Sequence, residues 1–162
     1  MLRELGTPTL VGENGQGLIL KLAINISLAV QMLALSEGLL IAERDGVDRM
    51  LALEVMTASA IGSPMLKARA PLVLDLPEDA WFDIGLMHED IRLALEAAGE
   101  LDVPVPSARA ADRMLTRAGE LGYEHRDIAG LFEVLGKMPR VPPEARGRVP
   151  PLPRLDPVRR AD

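Results

Sequence analysis

Apolar positions along this chain recur with the spacing of helices, and glycine, proline and capping residues cut them into discrete segments. From Leu18 to Ile41 the chain is apolar on nearly every side, with Lys21, Asn25, Gln31 and Glu37 as its main polar breaks. Gly15-Gln16-Gly17 opens the run, and Asp45-Gly46 stops it after Arg44, so it predicts one long helix. A second helix is expected over about Val47 to Ala60. Ser63-Pro64 reads as an N-cap followed by proline at the first helical position, starting a short third helix. A loop from Asp75 to Asp83 holds Pro77, Trp81 and Phe82, with Trp81 expected to anchor the packing there. The fourth helix is expected from about Ile84 to Leu101, broken by Val103-Pro104-Val105-Pro106. Ser107 is expected to cap a fifth, ending at Gly122, and a sixth runs from about Asp127 to Met138. Ahead of them all, Thr9-Leu10-Val11 is a short strand-prone stub.

The long apolar helix could by length cross a bilayer, which takes ~20 apolar residues. It carries a lysine and a carboxylate inside the span and lacks an aromatic belt. The expectation is therefore the central, buried helix of a soluble all-α bundle and no membrane. Composition agrees. Aromatics make up 2% of 162 residues, leaving Leu, Ala, Val, Ile and Met to pack the core, and these suit helices better than sheets.

Charge divides the chain. From Pro139 onward there are seven of the thirteen prolines and six arginines against Glu144, Asp156 and Asp162, giving +3 there and −9 over the rest of a chain whose net charge is −6. Residues 139–162 are accordingly expected to be an extended or disordered tail. The net negative charge disfavours nucleic acid as a partner. Cysteine is absent, which excludes disulfides and thiol chemistry, and His88 and His125 are too few for a metal cluster, so no metal is expected. Met1-Leu2-Arg3-Glu4 is not the start of a secretory signal, and a cytoplasmic location is expected.

Two stretches suggest chemistry. Gly12-Glu13-Asn14-Gly15-Gln16-Gly17 invites a phosphate-loop reading and fails it: Leu18 stands where the Walker pattern needs lysine, and the glycine order reverses the dinucleotide fingerprint. Lys21 and Asn25, four apart on one helix, share a face. An ammonium there can hydrogen-bond, then protonate, a carbonyl oxygen gaining negative charge, while the amide orients the substrate. The plainer alternative is a snorkelling lysine beside an asparagine that bonds a neighbouring helix.

The run Val11 to Asn25 resembles the stretch of the β-hydroxyacid (3-hydroxyisobutyrate) dehydrogenase family in which a glycine loop leads to G-x-x-x-K-x-x-x-N, here Gly17, Lys21 and Asn25. Phe82-Asp83-Ile84-Gly85-Leu86-Met87-His88-Glu89-Asp90-Ile91-Arg92-Leu93-Ala94 is similar to that family's F-x-L-x-L-x-x-K-D-L-x-L-A block. Val103-Pro104-Val105-Pro106 and the pair Gly122 and Asp127 match its later features, in order, from about Leu2 to Met138. The resemblance implies a helical bundle like the C-terminal domain of 6-phosphogluconate dehydrogenase, with Lys21 as proton donor or acceptor and Asn25 and Gly17 against the substrate. It places Phe82, Glu89 and Asp90 near the cofactor, NAD or NADP. Glu89 departs from the family, which has lysine there.

The family's Rossmann half is not in this sequence, so residues 1–11 are expected to be the remnant of its last strand and a linker, and residues 12–138 the catalytic and dimerisation domain. Tight cofactor binding by this chain alone is not expected. The expected function is the C-terminal half of an NAD(P)-dependent oxidoreductase acting on a small β-hydroxyacid, or on a semialdehyde or glyoxylate in reverse. The alternative is a truncated, non-enzymatic dimerisation module. Expected partners are further copies of the chain, a separate Rossmann-domain chain and a small-molecule substrate.

Overall fold

The computed structural model describes residues 7–139; the expectations for residues 1–6 and for the tail from Arg140 onward lie outside the described residues. The order of elements is α1 (Gln16–Arg44), α2 (Arg49–Ala58), α3 (Pro64–Leu74), α4 (Ile84–Glu100), α5 (Pro106–Glu120), a 3-10 turn (Ile128–Gly130) and α6 (Leu131–Lys137). No strand occurs among the described residues. The chain is an all-α bundle built on α1, against which α2, α4, α5 and α6 pack.

Local chemistry sets the helix starts. Asp48, Ser63 and Asp83 each accept from the backbone N–H three residues on, capping α2, α3 and α4. Ser107 does not cap α5: the helix starts one residue earlier, at Pro106, whose fixed φ suits the first turn and whose missing N–H leaves one donor fewer to satisfy. The expected sixth helix is split, because the side chain of Asp127 draws the N–H of Ala129 into a 3-10 turn before α6 begins. Thr9–Val11 forms no strand; Leu10 is 92% exposed, and no strand among the described residues is there to complete a ladder. At the entry to α1, Gly12 and Gly15 have φ of +147° and +93°, and a Cβ on Gly12 would lie 1.6 Å from the Gln16 amide oxygen that accepts from Glu13 N–H.

Met32, Leu35 and Leu39 of α1 form the axis of the core, met by Leu53, Leu66, Met87, Ile91, Leu115, Leu131 and Val134 from the other helices. Arg49 fastens the far end of α1 by a two-point pair with Glu43 while lying over the Phe132 ring at 4.7 Å. Burial of α1 is not uniform along its length. From Leu22 onward its inner face is covered, but Leu18, Ile19, Leu20 and Ile24 are 44–58% exposed. The first two turns extend past the helices that wrap the rest.

Candidate active site

Lys21 lies in the second turn of α1, where the covered and uncovered parts of the helix meet. Leu22 and Asn25 turn inward and are buried, while the Lys21 side chain remains 54% exposed. Its Nζ is 2.7 Å from both carboxylate oxygens of Asp90, and Asn25 Nδ2 donates to Asp90 Oδ2 at 2.6 Å.

Asp90 is carried by α4 between Met87 and Ile91, both fully buried, so its register is fixed by core packing. A carboxylate this buried needs compensation, and charge-assisted bonds from an ammonium and an amide provide it. The cluster answers the question that a lysine on an apolar helix poses. The pairing leaves Lys21 at least one N–H, and leaves Asn25 its second N–H and its carbonyl, for another molecule.

Of the other residues singled out in the sequence, Gly17 lies one turn before Lys21 on α1, with Val11 as the neighbour nearest to where a Cβ would project. Phe82 is half-buried at the entry to α4, packed on the core, with its backbone held at both polar atoms: N–H to Asp127 and C=O from Ile128. Glu89, one residue before Asp90, is exposed and turned away from Lys21, into a groove of about 770 Å³ between α4 and α5 that Arg92, Glu96, Glu120 and Glu124 also line.

His88 lies two residues before Asp90, and so on the opposite side of α4. It bonds Asp112 at 3.1 Å and Thr116 at 3.3 Å on α5, outside the lysine cluster. Trp81 is not a packing anchor. It is 66% exposed and is held through its backbone N–H to Asp127, with the Arg69 guanidinium 5.8 Å from its ring centre.

Sequence reasoning missed Arg69. Its guanidinium grips both oxygens of the fully buried Asp127, at 2.6 Å to Oδ1, and Asp127 also accepts from the N–H groups of Trp81, Phe82 and Ala129. This clamp fixes the loop that delivers Phe82 and starts α4, and through α4 it sets the height of Asp90. Asp127 stands at a motif position, whereas nothing local to Arg69, 58 residues away, marks it as the partner.

A pyrophosphate cradle of strand, glycine turn and helix does not occur among the described residues. The groove beside Glu89 has an excess of carboxylates over its one arginine, which is unsuited to an anionic dinucleotide.

A family model described as the NAD-binding part of NADP-dependent 3-hydroxyisobutyrate dehydrogenase matches residues 15–135. The chain is 30% identical over 125 residues to glyoxylate/succinic semialdehyde reductase 1 of Arabidopsis thaliana, covering 77% of this chain and 43% of that protein. It is 28% identical over 130 residues to 2-hydroxy-3-oxopropionate reductase of Escherichia coli (strain K12), covering 80% and 44%. Among solved structures, the 3-hydroxyisobutyrate dehydrogenase of Salmonella typhimurium superposes with a TM-score of 0.67 at 25% identity, over 71% of this chain and 40% of that one. The chain spans less than half the length of each of these relatives. On the strength of the match over residues 15–135, it belongs to the 3-hydroxyisobutyrate dehydrogenase family, as that family's helical domain.

Proposed function

We propose that this chain provides the proton-transfer side of an NAD(P)-dependent dehydrogenase acting on a small β-hydroxyacid, or on the corresponding semialdehyde in reverse. The observation that carries the reading is the half-exposed Lys21 ammonium, tied to buried Asp90 and flanked by Asn25. Lys21 donates a hydrogen bond and then the proton to the substrate oxygen as the carbonyl is reduced, and takes it back in oxidation. Asp90 holds the ammonium in one orientation and balances its charge. The free N–H and C=O of Asn25 bind the substrate's oxygens.

The nicotinamide cofactor, when bound, supplies or accepts the hydride. Its cradle belongs to a Rossmann domain, on the same polypeptide or on a separate chain. Leu18 and Ile24, one turn on either side of Lys21, form an apolar collar that such a domain would cover, excluding water from the proton transfer. The names of the relatives, reductases of glyoxylate, succinic semialdehyde and 2-hydroxy-3-oxopropionate, support a short carbonyl acid as the substrate class.

The test is turnover of small β-hydroxyacids by the assembly of this chain with a Rossmann half. Lys21→Ala should lower kcat by ~10²–10⁴-fold, the usual worth of acid–base catalysis. Lys21→Arg should not restore it, because guanidinium stays protonated near neutral pH. An active Lys21→Ala enzyme overturns the catalytic role of Lys21, whereas an assembly that turns over none of these acids with Lys21 intact favours a non-enzymatic module.

A further inference from the structure

The groove between α4 and α5 takes no part in the proton transfer assigned to Lys21. Its floor is apolar: Leu86 and Leu93 of α4 are 52% and 40% exposed, and buried Leu115 lies beneath them. Its rims are acidic. Glu89 and Glu96 stand on α4, Glu120 ends α5 and Glu124 follows in the next turn, while Arg92 is the one arginine among the lining residues. Leu86, Glu89, Leu93 and Glu96 succeed one another at intervals of three and four residues, so leucines and carboxylates share one stripe of the helix. Of these four glutamates only Glu120 is paired among the described residues, with Arg117 at 2.8 Å. A cleft of this kind suits an occupant that is apolar along its middle and cationic at its edges.

We propose that residues 146–155 of this same chain dock there, with Val149, Leu152 and Leu155 on the leucine floor and Arg146, Arg148 and Arg154 against the glutamates. The apolar three recur at every third position, which is one turn of a polyproline helix, and Pro150, Pro151 and Pro153 set that conformation in advance. Lengths agree. The groove follows α4 from Ile84 to Glu96, ~18 Å at the helical rise, and Val149 to Leu155 covers ~19 Å at the ~3.1 Å rise of a polyproline helix.

The place where the described chain ends favours this occupant over a foreign one. Lys137, the last residue of α6, bonds the Tyr123 hydroxyl, and Tyr123 adjoins Glu124 on the groove's rim. Residues 140–148 supply a leader of up to ~28 Å from there. Exposed ion pairs are individually weak, at ~0–1 kcal/mol, but a tether this short holds the segment at a millimolar effective concentration, so a few of them suffice. A separate basic peptide would have to compete with that.

In the full chain, tryptic cleavage after Arg148 and Arg154 should be slow relative to cleavage after Arg160, which lies outside the docked segment. Glu89→Gln combined with Glu96→Gln and Glu124→Gln should speed the first two on the order of tenfold, the effect of losing two or three exposed ion pairs, with an unchanged helical spectrum. Because the chain has no cysteine, Leu93→Cys with Leu152→Cys gives a two-thiol protein that should close a disulfide within one chain under mild oxidation. Val55→Cys on α2 with Leu152→Cys should not. Equal cleavage rates in the native chain and the triple variant overturn the proposal. So does a Leu93→Cys disulfide that forms only between two copies, or one that forms no faster than with Val55→Cys.

Discussion

Lys21 and Asp90 meet with the lysine Nζ 2.7 Å from each carboxylate oxygen, although one side chain is 54% exposed and the other 10%. The asymmetry has an energetic meaning. A half-exposed ammonium can be solvated without its partner, so this pair adds ~0–1 kcal/mol to folding at most. On the proposed reading, its value lies in holding the Lys21 ammonium still.

Asp90→Asn should therefore separate activity from stability. The new amide oxygen can still accept from Asn25, so the melting temperature should change little. Turnover should fall on the order of 10²-fold, because the ammonium loses the charge that orients it. Paired thermal melts and kcat measurements check this; a large loss of stability with normal turnover in the folded fraction would contradict it.

The Arg69–Asp127 clamp should behave in the opposite way, as its carboxylate is fully buried and the Arg69 side chain is only 12% exposed. Asp127→Ala orphans a buried guanidinium and three backbone N–H groups, and should cost about 3–5 kcal/mol. Arg69→Met leaves the carboxylate with its three N–H donors and should cost less, about 1–3 kcal/mol. Urea denaturation of the two variants tests the order as well as the sizes.

Gly62, between α2 and α3, is required for space. A Cβ there would lie 1.8 Å from the backbone carbonyl oxygen of Thr57. Gly62→Ala should destabilise the protein by about 1–3 kcal/mol, as forced overpacking commonly does. Hydrogen exchange should show the loss concentrated in the turn before Ser63.

Residues 7–139 hold no cradle for a pyrophosphate, and Glu89 adds negative charge near where the family resemblance places the cofactor. Calorimetry with NAD or NADP and this chain alone should give no binding tighter than ~1 mM. Micromolar affinity would show that the helical domain holds the cofactor without a Rossmann half.

Much of this was legible in the residues. The apolar run from Leu18 to Ile41, the Ser63-Pro64 start and the four-residue spacing of Lys21 and Asn25 are local signals, and local signals survive without a fold. Asp90 could be placed near the site by resemblance, but its bonds to Lys21 and Asn25 join residues 65 and 69 positions apart and follow from packing. Arg69 was invisible for the same reason. Ser107 was misread because a good capping residue lay one position inside a helix that proline had already begun. Trp81 was misread because size suggested burial, whereas its backbone, not its ring, is what the fold grips.

The loop at residues 75–83 has one more consequence. Lys21 and Asn25 precede it in sequence and Asp90 follows it, so neither segment carries the finished cluster by itself. A chain nicked in that loop would yield two fragments, one with the donors and one with the acceptor. The cluster could re-form only by their association, with the loop-closure entropy of the intact chain replaced by a dependence on concentration. Fragment complementation would then report directly on whether α1 and α4 recognise each other without a covalent tether.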